Sequence, residues 1–138
     1  MMKRLGQGGF ATLEVILMVT VIGILSAIAV PRFEDITAKA NTARIQSDLT
    51  TIDTAIALYK MNNTGDPSTL SDLKDYLTDA DSIKPPQSGK VFIGKSTADP
   101  IPATEYKITA VSADKGGGFR GTLDGKTAGE FGYKESSN

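Results

Sequence analysis

The side chains that could carry out chemistry in this 138-residue chain are carboxylates, hydroxyls and amines, because it contains no histidine and no cysteine. Histidine is the usual base and metal ligand at neutral pH, and cysteine is needed for a disulfide or a thiolate site. Carboxylate pairs and Ser–Lys arrangements remain, and no spacing singles out one of them. We therefore predict no catalytic site, no cofactor and no enzyme activity.

Two further patterns resemble ligand sites. The run Lys115-Gly116-Gly117-Gly118 has glycines of a phosphate-binding loop but lacks the other residues of that motif, so it predicts a flexible hairpin turn. Carboxylate oxygens in loops can gather a calcium ion. The aspartates in predicted loops are Asp66, Asp79, Asp81 and Asp99. They are scattered and not arranged as a ligand loop, so we predict no metal site.

The net charge of −1 averages two regions of unlike composition. Lys3 and Arg4 precede an apolar segment, whereas acids slightly outnumber bases after it. A dedicated nucleic-acid-binding protein carries a basic excess, which this chain lacks. The sequence therefore gives no firm evidence for a nucleic-acid partner.

An uncharged apolar segment runs from Val15 to Val30, and the preceding FATL lengthens it with only Glu14 between. Its length is close to the roughly 20 residues that a helix needs to cross a bilayer. The basic residues before it predict a cytoplasmic N-terminus and an exported C-terminal part. Two ordinary interpretations are a signal peptide cut after Ala27-Ile28-Ala29 and a signal anchor that tethers a binding or enzymatic domain.

Glu14 and the glycines before Phe10 fit neither interpretation. Insertion scales assign a cost of about 2.5–3.5 kcal/mol to Asp at the bilayer centre, and Glu should behave similarly. A signal peptide that is removed after export gives no reason for an acidic residue in its apolar segment. A plain anchor explains neither the glycine pair nor a helix that continues well past the membrane.

The stretch GQGGFATLEVILMVTVIGILSAIAVPRF, from Gly6 to Phe33, closely resembles the N-terminal signature of type IV pilins and type II secretion pseudopilins. In that family a prepilin peptidase removes a short basic leader that ends in glycine, and the new terminal amine is methylated. The resemblance implies cleavage between Gly9 and Phe10, with N-methylation of Phe10. The glycine and proline of the family's first helix correspond to Gly23 and Pro31.

The resemblance also places Glu14 at the position of the family's glutamate. Cleavage would create an ammonium group on Phe10 in apolar surroundings, where either charge alone would be costly. The two charges can pair within one helical turn or between neighbouring subunits. Such a pair would fix how far one subunit is shifted along the next, since a buried ion pair contributes specificity more reliably than stability. We therefore predict that Glu14 sets the axial offset between subunits.

Beyond Pro31 the apolar residues recur at the spacing of one helix face. The apolar face comprises Ala38, Ile45, Leu49, Ile52, Ile56 and Tyr59, and the polar residues on other faces are Gln46, Ser47, Thr50, Thr51 and Thr54. We predict one helix from about Phe10 to Met61, whose second half packs on the globular part. Gly23 and Pro31 predict a bend or local melting, either tolerated in a membrane helix or used as a hinge.

The motif from Asn62 to Pro67 is suited to end that helix. A second helix is predicted from about Thr69 to Leu77, capped by Ser68. The buried edge of this second helix comprises Leu70, Leu73 and Leu77. The segment from Asp79 to Gly89, rich in Asp, Pro and Ser, predicts a loop.

The remaining chain predicts strands. These are Lys90 to Gly94, Glu105 to Ala113, Phe119 to Gly125 and Glu130 to Lys134, and the alternation of Tyr106, Ile108 and Ala110 predicts one buried face. The elements together indicate an α+β fold, in which the long N-terminal helix packs on a small antiparallel sheet. The resemblance implies the same pilin-like architecture.

Three parts are predicted: a leader at residues 1–9, a transmembrane and assembly half of the helix at residues 10–31, and a pilin-like globular domain at residues 32–138. The resemblance implies a homopolymeric filament with related minor pilins, and as partners the membrane, prepilin peptidase and an inner-membrane assembly platform. It also implies an inner-membrane precursor followed by a periplasmic or cell-surface filament.

The subtype stays open between a surface pilus, a competence pilus and a secretion pseudopilus. The helix ending TAIALYKMNN resembles the corresponding stretch of the major pseudopilin of type II secretion, whereas that protein's aromatic-proline turn is not evident. A membrane-anchored binding domain that forms no filament is a further alternative.

Overall fold

The computed structural model describes residues 7–135 of the chain. Its first element is a single α-helix, α1, at Gln7–Asn62. This confirms the prediction of one long helix. The described helix is continuous at Gly23 and at Pro31, so the local melting expected there is not found. The part of the predicted leader at residues 1–6 lies outside the described residues.

The helix ends where the sequence predicts. The backbone amide of Asn63 donates to the Tyr59 carbonyl at 2.9 Å, and the Asn63 side-chain amide donates to the same oxygen at 3.0 Å. Gly65 then adopts a φ of 123°, a conformation that disfavours other residues. The chain thereby leaves the helix axis within a few residues.

Two compact units divide the chain between Glu34 and Asp35. In its described part, the first unit consists of α1 alone. The second unit contains the rest of α1 and all the described strands. The boundaries predicted after residues 9 and 31 stay predictions.

Five strands form two sheets in the second unit. They are β1 at Lys90–Lys95, β2 at Ala98–Pro100, β3 at Tyr106–Val111, β4 at Gly118–Leu123 and β5 at Gly132–Tyr133. One sheet has the order β2-β1-β5, and β3 pairs with β4 in the other. Strand β1 is antiparallel to β2 but parallel to β5, whereas β3 and β4 are antiparallel.

The α+β class is confirmed, and the prediction of one purely antiparallel sheet is wrong. Strand β5 reaches β1 only after the β3–β4 hairpin and a 3₁₀ turn at Ala128–Glu130. The direction of β5 relative to β1 depends on this long connection and not on the local residue pattern. Strand β2, which the sequence analysis missed, has three residues and ends in Pro100, as suits an edge strand.

The predicted second helix is wrong in extent and in its cap. The structure has a 3₁₀ helix at Leu70–Leu73, with Thr69 at the N-cap position. The Asp72 carboxylate accepts hydrogen bonds from the backbone amides of Ser68 at 2.9 Å and Thr69 at 2.8 Å. These bonds hold a tight first turn, and irregular turns follow it. The predicted loop from Asp79 to Gly89 is confirmed.

The core of the second unit forms along the predicted helix face. Ile45, Leu49 and Ile52 are fully buried, which confirms the amphipathic stripe, and Tyr59 packs at its margin. The strands and turns contribute Leu73, Val91, Phe92, Tyr106, Ile108, Leu123 and Phe131. The expectation for Ala110 is wrong, because this residue is exposed and the alternation of β3 ends at Ile108.

Strand β4 approaches α1 closely at Gly121. A Cβ atom at this position would lie 2.7 Å from the Ile52 Cγ2 atom. The Gly121 amide also donates to the Asp53 carboxylate at 2.8 Å, and Arg120 pairs with the same carboxylate at 3.2 Å. Glycine is therefore required here by close packing.

Candidate assembly helix

The first unit carries its apolar side chains on the surface. Every large apolar side chain from Phe10 to Phe33 is exposed, with Phe10 at 76% and the least exposed, Val21, at 47%. Within the described residues, α1 is the one helix long and apolar enough to cross a membrane. Monomeric soluble proteins rarely expose an apolar surface of this extent. Lipid or other protein chains must therefore cover it.

Glu14 lies inside this apolar surface, one helical turn after Phe10. Residues four apart in an α-helix are neighbours on one face. The Glu14 side chain is exposed and, within residues 7–135, makes no hydrogen bond or ion pair. The single chain thus presents an unpaired carboxylate in apolar surroundings, as the register hypothesis requires.

The two hydroxyls of Thr12 and Thr20 are satisfied within the helix. Thr12 Oγ1 donates to the Gly8 carbonyl at 2.9 Å, and Thr20 Oγ1 donates to the Ile16 carbonyl at 2.8 Å. Bonds of this kind let a polar side chain sit in a lipid environment without an external partner. Glu14 differs from both threonines because a carboxylate only accepts, and α1 offers it no free donor at that position.

The glycines of the first unit have no packing reason in the described chain. A Cβ atom placed on Gly8, Gly9 or Gly23 would meet no atom within 4 Å. None of the three has a positive φ. Neither close approach nor a left-handed backbone therefore accounts for glycine at these positions.

Polar side chains of α1 hold the strands of the second unit. Thr42 Oγ1 accepts from the Phe92 amide at 2.9 Å, and the Gln46 amide donates to the Phe131 carbonyl at 2.6 Å. Asn41 donates to the Lys90 carbonyl at 3.2 Å, and Asp53 accepts from β4. The helical pattern does not predict these contacts, and it places Gln46 on a face away from the core. Only their position beside the apolar stripe could have suggested them.

The outward face of α1 in the second unit carries no charge between Ile36 and Met61. We call it the uncharged stripe, and it comprises the exposed residues Ile36, Ala40, Ala43, Ser47, Thr50, Thr54, Leu58 and Met61. The hydroxyls of Thr50 and Thr54 donate to carbonyls of the preceding turn, at 2.7 and 2.9 Å. The stripe therefore offers few unsatisfied polar groups despite its exposure.

Comparison with known proteins identifies relatives of two kinds. Type II secretion system core protein G of Klebsiella michiganensis is 25% identical over 134 aligned positions, which cover 78% of this chain and 94% of the relative. Core protein G of Klebsiella pneumoniae is 28% identical, covering 96% of this chain and 91% of the relative. The type IV narrow pilus major component PilA5 of Thermus thermophilus is 38% identical over 60 positions, covering 44% and 52%.

These relatives support the type IV pilin and pseudopilin family as the family of this chain. No family model matches it, and no solved structure matches it. The structure brings three of the residues predicted for pilin processing and assembly, Gly9, Phe10 and Glu14, together on two turns of α1. Gly23 and Pro31 lie farther along the same helix. Their roles stay predictions.

Three of the four aspartates considered as calcium ligands form separate ion pairs. Asp66 pairs with Lys60, Asp81 with Lys74 at 3.0 Å and Asp99, which lies in β2, with Lys95 at 3.6 Å. Among the described residues, no group of three or more acids is placed to hold a metal ion. Gly116 and Gly117, in the connection between β3 and β4, and Gly118, at the start of β4, have positive φ angles, as suits the predicted hairpin turn.

Several bonded groups of the second unit have shifted pKa values, among them Tyr106 and Asp72. Burial, together with the hydrogen bond that Tyr106 donates to Asp48 at 2.8 Å, raises the pKa of the Tyr106 hydroxyl. Hydrogen bonds from the backbone amides of Thr69 and Ser68 lower the pKa of Asp72. Both shifts follow from contacts that hold the fold together.

Proposed function

We propose that this chain is a structural subunit of a pilus-like filament, made as a membrane-held precursor and polymerised through the first unit of α1. One observation carries the proposal: every large apolar side chain from Phe10 to Phe33 is exposed in the single chain. A membrane covers such a surface before assembly, and equivalent helices of neighbouring subunits cover it in a filament. Relatives named as a secretion-system core protein and a pilus component support this function.

Processing by a prepilin peptidase between Gly9 and Phe10, followed by N-methylation of Phe10, is part of the proposal. The positive charges of Lys3 and Arg4 favour a precursor with a cytoplasmic N-terminus in the bacterial inner membrane. The partners are further copies of this chain, related minor pilins and an inner-membrane assembly platform. The finished filament would lie in the periplasm or at the cell surface.

Glu14 would pair with the terminal ammonium group of a neighbouring subunit. Its carboxylate has no partner within the described chain, and it lies among side chains that water leaves once they are covered. Leaving such a charge buried and unpaired costs several kcal/mol. Subunits that meet in the wrong register would bear that cost.

The secretion pseudopilus is the favoured subtype, because two of the alignments with core protein G span 94% and 91% of those relatives. The alignment with PilA5 spans 52% of that relative. Deleting the gene should then stop secretion of folded exported proteins. Loss of surface pili with secretion intact would instead assign the chain to a type IV pilus.

Intact mass of the membrane-extracted protein tests the proposed function. The expected mass corresponds to a chain that starts at N-methylated Phe10, and replacing Gly9 by valine should leave the precursor uncut. A mature chain that starts at Val30 would show a conventional signal peptide. An uncut wild-type chain in cells that contain prepilin peptidase would favour the tethered domain.

A further inference from the structure

The proposed scissile bond lies inside a helix. Gly9 and Phe10 both belong to α1, which begins at Gln7 in the described chain. Each carbonyl of an α-helix accepts the amide four residues later, and the backbone is coiled tightly around the axis. A protease needs access to the scissile carbonyl, so this turn of helix must open before Gly9–Phe10 can be cut.

The glycine pair makes that opening easier. Gly8 and Gly9 lie in right-handed helix, with no positive φ, and a Cβ atom added to either would have no neighbour within 4 Å. Alanine would therefore fit at either position. It would favour the helical turn about five-fold over glycine, which corresponds to about 1 kcal/mol of helix propensity.

A side-chain bond crosses the scissile bond and acts on the same turn. The Thr12 hydroxyl, on the side that stays, donates at 2.9 Å to the Gly8 carbonyl, on the side that leaves. Back-bonding of this type slightly weakens a helix, because the hydroxyl competes for a carbonyl that the backbone uses. Gly8 therefore combines poor helix propensity with a shared carbonyl.

We propose that Gly8 is a positioning residue for processing, which lets the turn around Gly9–Phe10 unwind and enter the peptidase as an extended segment. The inference rests on the proposed function, because it assumes cleavage after Gly9. The family resemblance assigns a role to Gly9, immediately before the cut, and it assigns none to Gly8. Gly8 acts through the conformation of the helix and does not contact the reacting atoms.

Pulse-labelled precursor in membranes that contain prepilin peptidase provides the test, with the uncut and cut chains separated by mass. Gly8→Ala should be processed about five-fold more slowly than wild type. Gly8→Asn should be processed faster than Gly8→Ala, because asparagine is the poorer helix former although it is larger. Gly23→Ala is the matched control: it makes the same change at a glycine of the same helix with equally open surroundings, and its rate should equal wild type.

Three results would overturn the inference. Wild-type processing of Gly8→Ala would show that unwinding is not limiting. A slower rate for Gly8→Asn than for Gly8→Ala would indicate a size-limited pocket in the peptidase. Equal slowing by Gly23→Ala would indicate an effect of the whole helix. A wild-type chain that is not cut after Gly9 would overturn the proposed function as well, so the two failures are distinguishable.

Discussion

The two units of the molecule use apolar residues of one helix in opposite ways. In the first unit Ile24 is 59% exposed, and in the second unit Ile52 is fully buried beneath the strands. Helix propensity is the same for both residues, so the difference lies in what covers them. The second unit covers its apolar face with its own chain, whereas the first unit needs a membrane or a neighbouring subunit. The second unit therefore buries this face by folding, and the first unit buries it only through other molecules.

The largest expected effect on folding comes from the core face of the second unit. Ile52→Ala should lower the free energy of unfolding by about 2–5 kcal/mol, because it empties a fully buried site. Ile24→Ala, the same substitution in the same helix, should leave it unchanged. Urea-dependent proteolysis of the full-length protein in detergent measures both. Equal destabilisation by the two variants would remove the distinction between the units.

The close approach of β4 to α1 should give the next largest effect. Gly121→Ala places a methyl group 2.7 Å from Ile52 Cγ2, and overpacking of this kind costs about 1–3 kcal/mol. Gly129→Ala is the matched control, since Gly129 has no positive φ and no atom within 4 Å of an added Cβ. The same proteolysis assay compares them. A Gly121→Ala protein as stable as the control would place β4 farther from the helix.

A smaller effect should appear on acidification through Asp72. Its folded-state pKa is lowered, so its contribution to stability is complete above the unfolded pKa and is lost as the pH falls through the folded value. Asp72→Asn should therefore be less stable than wild type near neutral pH, and it should lose less stability than wild type between about pH 6 and pH 2.5. Asp75→Asn, in the same exposed turn, provides the control. Parallel acid profiles for Asp72→Asn and wild type would contradict this account.

The smallest effect on folding is expected on the uncharged stripe. Thr54→Glu should change the free energy of unfolding by no more than about 0.5 kcal/mol, because Thr54 is exposed. We expect the uncharged stripe to face neighbouring subunits in the filament, so a carboxylate at this position should be buried there and reduce filament yield. Thr97→Glu makes the same change in the exposed turn between β1 and β2 and should assemble normally. Normal filaments from Thr54→Glu would show that the stripe faces water in the assembly.

The periodic features of the fold could be predicted from the sequence because they depend on neighbouring residues. The stripe from Ala38 to Ile56 needs only the helical period, and the end of α1 follows from local signals at Asn62 and Gly65. Strand β5 and the short β2 illustrate the limit. Their pairing depends on how distant segments meet, and two or three residues carry too little pattern to reveal it.

The candidate site also has one part that could be predicted from the sequence and one part that could not. Gly9, Phe10 and Glu14 were found through a family signature, and the structure adds that they share two turns of an exposed helix. The helix-to-strand contacts of Thr42, Gln46 and Asp53 could not be predicted, because each depends on a strand more than 45 residues away. A polar residue beside an apolar stripe has the same sequence pattern whether it faces water or a strand.

The role of Glu14 is the most direct test of the claim that the first unit serves assembly and not folding. Glu14→Val should be recovered in the membrane fraction at wild-type abundance, because a more apolar helix inserts at least as readily. In a strain that lacks the wild-type subunit, we expect little or no sheared or imaged filament from this variant. Filaments of normal yield and appearance from Glu14→Val, measured beside its membrane abundance, would contradict the claim.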